Sequence, residues 1–118
     1  QLVNQERVSR GLAPYGWSSE LAVASQRHAE DMVAQDYFSH TSLDGREFGD
    51  RAVDANYDGS PRGENIAAGQ QSAESVMDSW MNSPGHRNNI LSTGSNEIGI
   101  GLHDFHWVQN FGFTEVAP

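Results

Sequence analysis

The chain has 118 residues, enough for one domain with one core and too few for two. Its formal charge is −9 and all seven basic residues are arginine, so nucleic acid is not an expected partner; with no cysteine, disulfide scaffolds, zinc–thiolate sites and cysteine nucleophiles are excluded. No apolar run approaches the ~20 residues of a bilayer span and no signal peptide opens the chain; because Gln1 falls in what reads as helix, a leader is expected to have been lost ahead of it.

Leu2, Val3, Glu6, Arg7 and Arg10 suggest a short first helix, stopped by Gly11 and Pro14. In "WSSELAVASQRHAEDMVAQ", Ser18 or Ser19 caps a second helix, and Leu21, Ala24, Ser25, His28 and Met32 fall on one face. After "DYFSHTS", Asp44 and Glu47 have capping-box spacing, and Phe48, Ala52 and Ala55 share a side of a third helix. "NYDGSPRG" is rich in turn formers, which leaves "ENIAAG" as a short extended piece.

Ser72 caps a fourth helix with Val76, Met77 and Trp80 as its buried stripe. Ser83 followed by Pro84 starts a short fifth helix, "PGHRNNIL". "NEIGIGLH" and "HWVQNFGF" alternate as two strands turning at Asp104 and Phe105, and Gly99 and Gly101 leave room for something packed closely over the sheet. Helices followed by a hairpin, with no repeat and no linker, make an α+β domain over residues 1–118.

The chemistry lies at three junctions between loops and regular elements. His40 follows the long helix, Glu64 follows the polar loop, and His86 sits one turn into the fifth helix. Each has a plain structural reading: His40 bonded to a helix carbonyl, Glu64 a cap or a partner for Arg62, His86 turned to solvent. Together they offer imidazole nitrogen and carboxylate oxygen, the donors that suit zinc, with magnesium or calcium as alternatives. His28 reads as a core histidine with a bonded tip, and His103 and His106 as cross-strand neighbours at the hairpin. Ser39 beside His40 is no nucleophile–base pair, because adjacent residues on an extended chain point apart.

Several segments in order, "HAEDM" with "FSHTS", "GENIAAG", "SWMNSPGHRNNIL", "EIGIG" and "WVQNFG", resemble the successive signatures of the CAP superfamily, named for cysteine-rich secretory proteins, antigen 5 and pathogenesis-related 1 proteins. The opening "LVNQERVSRGLAPYGWSSELAVAS" is similar to its bacterial branch, and the resemblance covers essentially the whole chain. It implies a three-layer α-β-α sandwich with a small antiparallel sheet between helices, and a central cavity lined by two histidines and acidic residues. Carried over residue by residue, those are His40, His86 and Glu64. A fourth, acidic residue common just after the tryptophan in eukaryotic members is missing, since Met81, Asn82 and Ser83 follow Trp80; Glu97 is the candidate substitute.

The reading that follows is a secreted, extracellular and monomeric module that holds a divalent cation on His40, Glu64 and His86, and binds a protein or a small lipid-like ligand. A metal-dependent hydrolase with Glu64 as general base is the alternative, weakened by the lack of an HExxH helix or a triad. A third reading makes the same residues a buried polar network that only fixes the packing.

Overall fold

The computed structural model describes residues 2–115, so the expectation that Gln1 is helical lies outside the described residues. Five helices, α1 (Leu2–Ser9), α2 (Ser19–Ala34), α3 (Phe48–Asp54), α4 (Ala73–Met81) and α5 (Pro84–Leu91), enclose four strands: β1 (Gly16–Trp17), β2 (Ser60–Ala68), β3 (Glu97–His103) and β4 (His106–Phe113). The strand order is β1-β3-β4-β2. Helices α2 and α3 cover one face and α1, α4 and α5 the other, which gives the three-layer α+β sandwich.

Local chemistry explains most boundaries. Ser18 caps α2 by accepting from the Leu21 amide at 3.1 Å, and Ser72 does the same for α4 through Ser75 at 3.0 Å. Proline opens α5 at its first position. The β3–β4 hairpin turns at Asp104 and Phe105, both with φ in the left-handed region (47° and 55°), as a two-residue turn matched to strand twist requires.

Three details differ from the sequence reading. The capping box of α3 joins Glu47 and Asp50, not Asp44 and Glu47; Asp44 instead receives the Arg46 side chain. Strand β2 begins at Ser60, so "SPRG" is part of the sheet. A register shift between Pro61 and Gly63 accommodates the proline, and an edge strand tolerates its missing donor. The sheet is also not wholly antiparallel, because β1 pairs in parallel with β3 at Gly16–Glu97 and Trp17–Ile98.

The larger core lies under α1, α4 and α5 and includes Val76, Trp80, Ile90, Ile98 and Phe111. Beneath α2, Ala29 and Met32 pack on Ile66 and Val108. There the helix sits against β3 at Gly99 and Gly101: a Cβ at Gly99 would fall 2.1 Å from the Ala22 nitrogen, and one at Gly101 2.4 Å from that of Gln26. Ser25 confirms the contact by donating to the Gly99 carbonyl at 3.0 Å.

Candidate functional site

Glu64 points from edge strand β2 toward the α2–α3 layer, where its side chain is only 1% exposed. A carboxylate that deep needs a cation and donors. Arg51 of α3, also buried, supplies both: its Nη2 donates to Oε2 at 2.8 Å and to Oε1 at 3.0 Å. The same guanidinium binds the loop between α2 and α3, through the His40 carbonyl at 2.8 Å, the Ser42 hydroxyl at 2.9 Å and the Arg46 carbonyl at 3.0 Å. Arg51 thus fixes at once the acid and the loop that carries His40.

His40 Nδ1 lies 2.8 Å from Glu64 Oε1. A carboxylate only accepts, so Nδ1 carries the proton, and the neutral ring keeps its lone pair on Nε2. The His40 side chain is 49% exposed, so the imidazole spans from a buried anchor to the surface.

His86 approaches the same strand from the opposite side. The long motif around it holds α5 against the free edge of β2: Trp80 Nε1 donates to the Ile66 carbonyl at 3.2 Å, and Asn89 Nδ2 to the Glu64 carbonyl at 3.3 Å and to Asn65 Oδ1 at 2.9 Å. Asn65 in turn donates to the His86 carbonyl at 3.2 Å. These bonds satisfy edge groups that would otherwise be open to another strand. The His86 ring is half-buried with Nδ1 2.8 Å from Ser83 Oγ, so the residue at the N-cap position bonds the imidazole in place of an amide. Burial lowers the His86 pKa below its usual value, and His40, when its ring is protonated, lowers it further.

The three expected residues are thus placed around strand β2 in different ways. His40 and Glu64 are bonded directly; His86 is positioned by its backbone and by Ser83. Among the described residues, no three or more His, Cys, Asp or Glu side chains form a group arranged to hold a metal ion. Glu97 lies at the start of β3, where Oε1 accepts from the Tyr57 hydroxyl at 2.8 Å; burial and this carboxylate push the Tyr57 pKa well up.

Other histidines behave as the sequence suggests. His28 is buried with Nε2 2.9 Å from the Ser39 carbonyl, and His103 faces His106 across the hairpin. Ser39 accepts from the Thr41 amide at 3.1 Å and has no bond to His40. Arg51 was invisible as a site residue: its signal, an arginine one place before the buried Ala52 of a short helix, is indistinguishable from a solvated cation. The proposed Glu64 partner, Arg62, bonds Ser60 instead. On the opposite face, an apolar cavity of about 130 Å³ opens between α1 and α4, with Val3, Val76, Met77, Trp80, Ile98 and Trp107 in its walls.

The family described as CAP, the cysteine-rich secretory protein family, matches residues 1–111. The chain is 34% identical over 110 residues to the uncharacterized membrane protein YlbC of Bacillus subtilis (strain 168), covering 93% of this chain and 32% of that protein. With the uncharacterized protein YkwD of the same organism, identity is 35% over 113 residues, covering 94% and 44%. The chain thus spans less than half the length of these relatives. An extracellular protein containing an SCP domain from Bacillus anthracis str. Ames superposes with a TM-score of 0.92 at 33% identity, over 96% of this chain and 38% of that one. An outer surface protein of Borrelia burgdorferi shares the fold, with a TM-score of 0.84 at 23% identity over 97% and 88%. Among the described residues, no helix is long and apolar enough to cross a membrane.

Proposed function

The chain belongs to the cysteine-rich secretory protein (CAP) family, and from that premise we propose an extracellular binding domain in which His40 and His86 hold a divalent cation, zinc foremost. The observation that carries the reading is the 2.8 Å bond from His40 Nδ1 to Glu64, since a carboxylate behind one ring nitrogen sets the tautomer and raises the basicity of the other. In this reading the donors are two imidazoles, with Glu64 orienting the first, and the electrostatic influence of His40 on His86 supports their being near one another. Glu64 is committed to Arg51 and His40, so its part is to aim a ligand; Glu97, engaged by Tyr57, has no part in this reading. A bound cation would supply a Lewis-acid centre for a carboxylate or carbonyl of a partner. The extracellular setting is supported by the description of the Bacillus anthracis relative.

Hydrolysis with Glu64 as general base is the weaker reading, because a carboxylate 1% exposed and bonded to a buried arginine offers little to an attacking water. A small lipid-like ligand has its own support in the apolar cavity between α1 and α4. Zinc calorimetry at pH 7.5 tests the main reading. His40→Ala and His86→Ala should each weaken binding by at least about tenfold; affinity unchanged in both variants would rule it out.

A further inference from the structure

His28 and Arg51 share an unresolved polar account. Arg51 uses four of its five donors' worth of geometry on Glu64, His40, Ser42 and Arg46 through Nη1 and Nη2, while its buried Nε has no partner among the described residues. His28 is 1% exposed, and because the Ser39 carbonyl can only accept, its Nε2 must carry a proton. A neutral His28 then has an acceptor at Nδ1, and that buried atom also lacks a partner. Both residues line one cavity of about 40 Å³, whose other walls include Asp31 and Ser42 and, toward the surface, Arg46 and Asp54. A single water needs roughly 10–15 Å³ and two or more polar partners. Buried polar atoms left unpaired are costly, so a donor and an acceptor beside the same small space call for one molecule serving both.

We propose that His28 is a positioning residue for His40, acting through the Ser39 carbonyl and through a buried water that accepts from Arg51 Nε and donates to His28 Nδ1. The proposal rests on the metal-binding reading for its functional consequence, though not for its geometry. Helix α2 thereby gains two grips on the site. One fixes the backbone immediately before His40; the other steadies the guanidinium that holds both the His40 carbonyl and Glu64. The Tyr37 ring, 6.1 Å from that of His28, limits the imidazole on a third side. Burial also lowers the His28 pKa, consistent with a neutral ring.

Long-range proton–nitrogen NMR of the histidine rings, with zinc calorimetry, decides the matter. In the metal-free wild type at pH 7.5, His28 should show its proton on Nε2 alone and His40 on Nδ1 alone. His28→Leu should turn His40 into a mixture of tautomers and weaken zinc about tenfold. His28→Gln, whose amide can still donate to Ser39, should restore the His40 tautomer and most of the affinity. A proton on His28 Nδ1 in the wild type overturns the proposal without any variant, which matters if His28→Leu fails to fold. So does a folded His28→Leu with unchanged His40 signals and zinc affinity. If the wild type binds no zinc, the metal reading fails, and the tautomer comparison still tests the positioning.

Discussion

Removing the Arg51 side chain would leave Glu64 buried, with only His40 to answer its charge. Deleting one partner of a buried ion pair costs about 3–5 kcal/mol, far more than loss of an exposed pair such as Arg46–Asp54 at about 0–1 kcal/mol. Arg51→Ala should therefore lower the free energy of unfolding by about 3–5 kcal/mol in urea titration, and a loss under 1 kcal/mol would mean that Glu64 finds water instead. Replacing both members, as Arg51→Met with Glu64→Leu, should recover part of this stability while zinc binding stays weak, because His40 has lost the carboxylate that orients it. The two measurements separate holding the fold from aiming a ligand. They also mark a limit of sequence reading. The motifs supply His40, Glu64 and His86 by position, but an arginine 13 residues before Glu64 becomes its partner only once α3 is docked on the sheet.

Helix α2 makes the case at the next scale. Its backbone lies so near β3 that the Cβ missing from Gly99 would sit 2.1 Å from one helix nitrogen and 2.3 Å from the Leu21 carbonyl carbon. Rigid backbone on both sides cannot yield as a flexible side chain can. Gly99→Ala should thus cost at least the upper part of the usual overpacking range, about 3 kcal/mol, and drop the melting temperature by on the order of 10 °C. Gly49→Ala, at an α3 position with nothing within 4 Å, is the control and should change little. A melt of Gly99→Ala that matches wild type would show that the helix can lift from the sheet freely. The glycines were legible as a sign of close packing, and the caps of α2 and α4 and the hairpin turn were legible because their causes are local, whereas the capping box of α3 lay three residues from where its spacing suggested. Strand β1 and the start of β2 were not, since a two-residue parallel pairing and a strand through Ser60 and Pro61 exist only through their partners β3 and β4.

For the whole molecule, order along the chain told more than any single residue: successive motifs identified the sandwich, while composition alone reached only an acidic single domain. What the motifs left open was the protonation state of the buried histidines, which depends on burial. His28 and His86 both have pKa values lowered from 6.5, chiefly by burial. Below pH 6.5 the unfolded chain takes up these protons first, so each histidine makes stability fall as pH drops, until its own folded pKa is reached. The slope for each is at most about 1.4 kcal/mol per pH unit. Asp31, lowered from 3.8 mainly by its bond from Tyr37, acts in a separate window: its stabilisation is complete above 3.8 and lost only below it. Net charge works the other way, because the −9 of neutral pH shrinks toward the pI of 4.7 and relieves self-repulsion. Salt screens that repulsion but reaches the buried ring of His28 much less. Urea titrations in about 0.5 M salt should therefore show stability falling from pH 7 to pH 5, and more steeply than at low salt. His28→Gln, which has no proton to take up, should flatten the slope even if it is less stable at pH 7. Equal stability at pH 5 and pH 7 in high salt would mean that the folded state accepts these protons as readily as the unfolded one does.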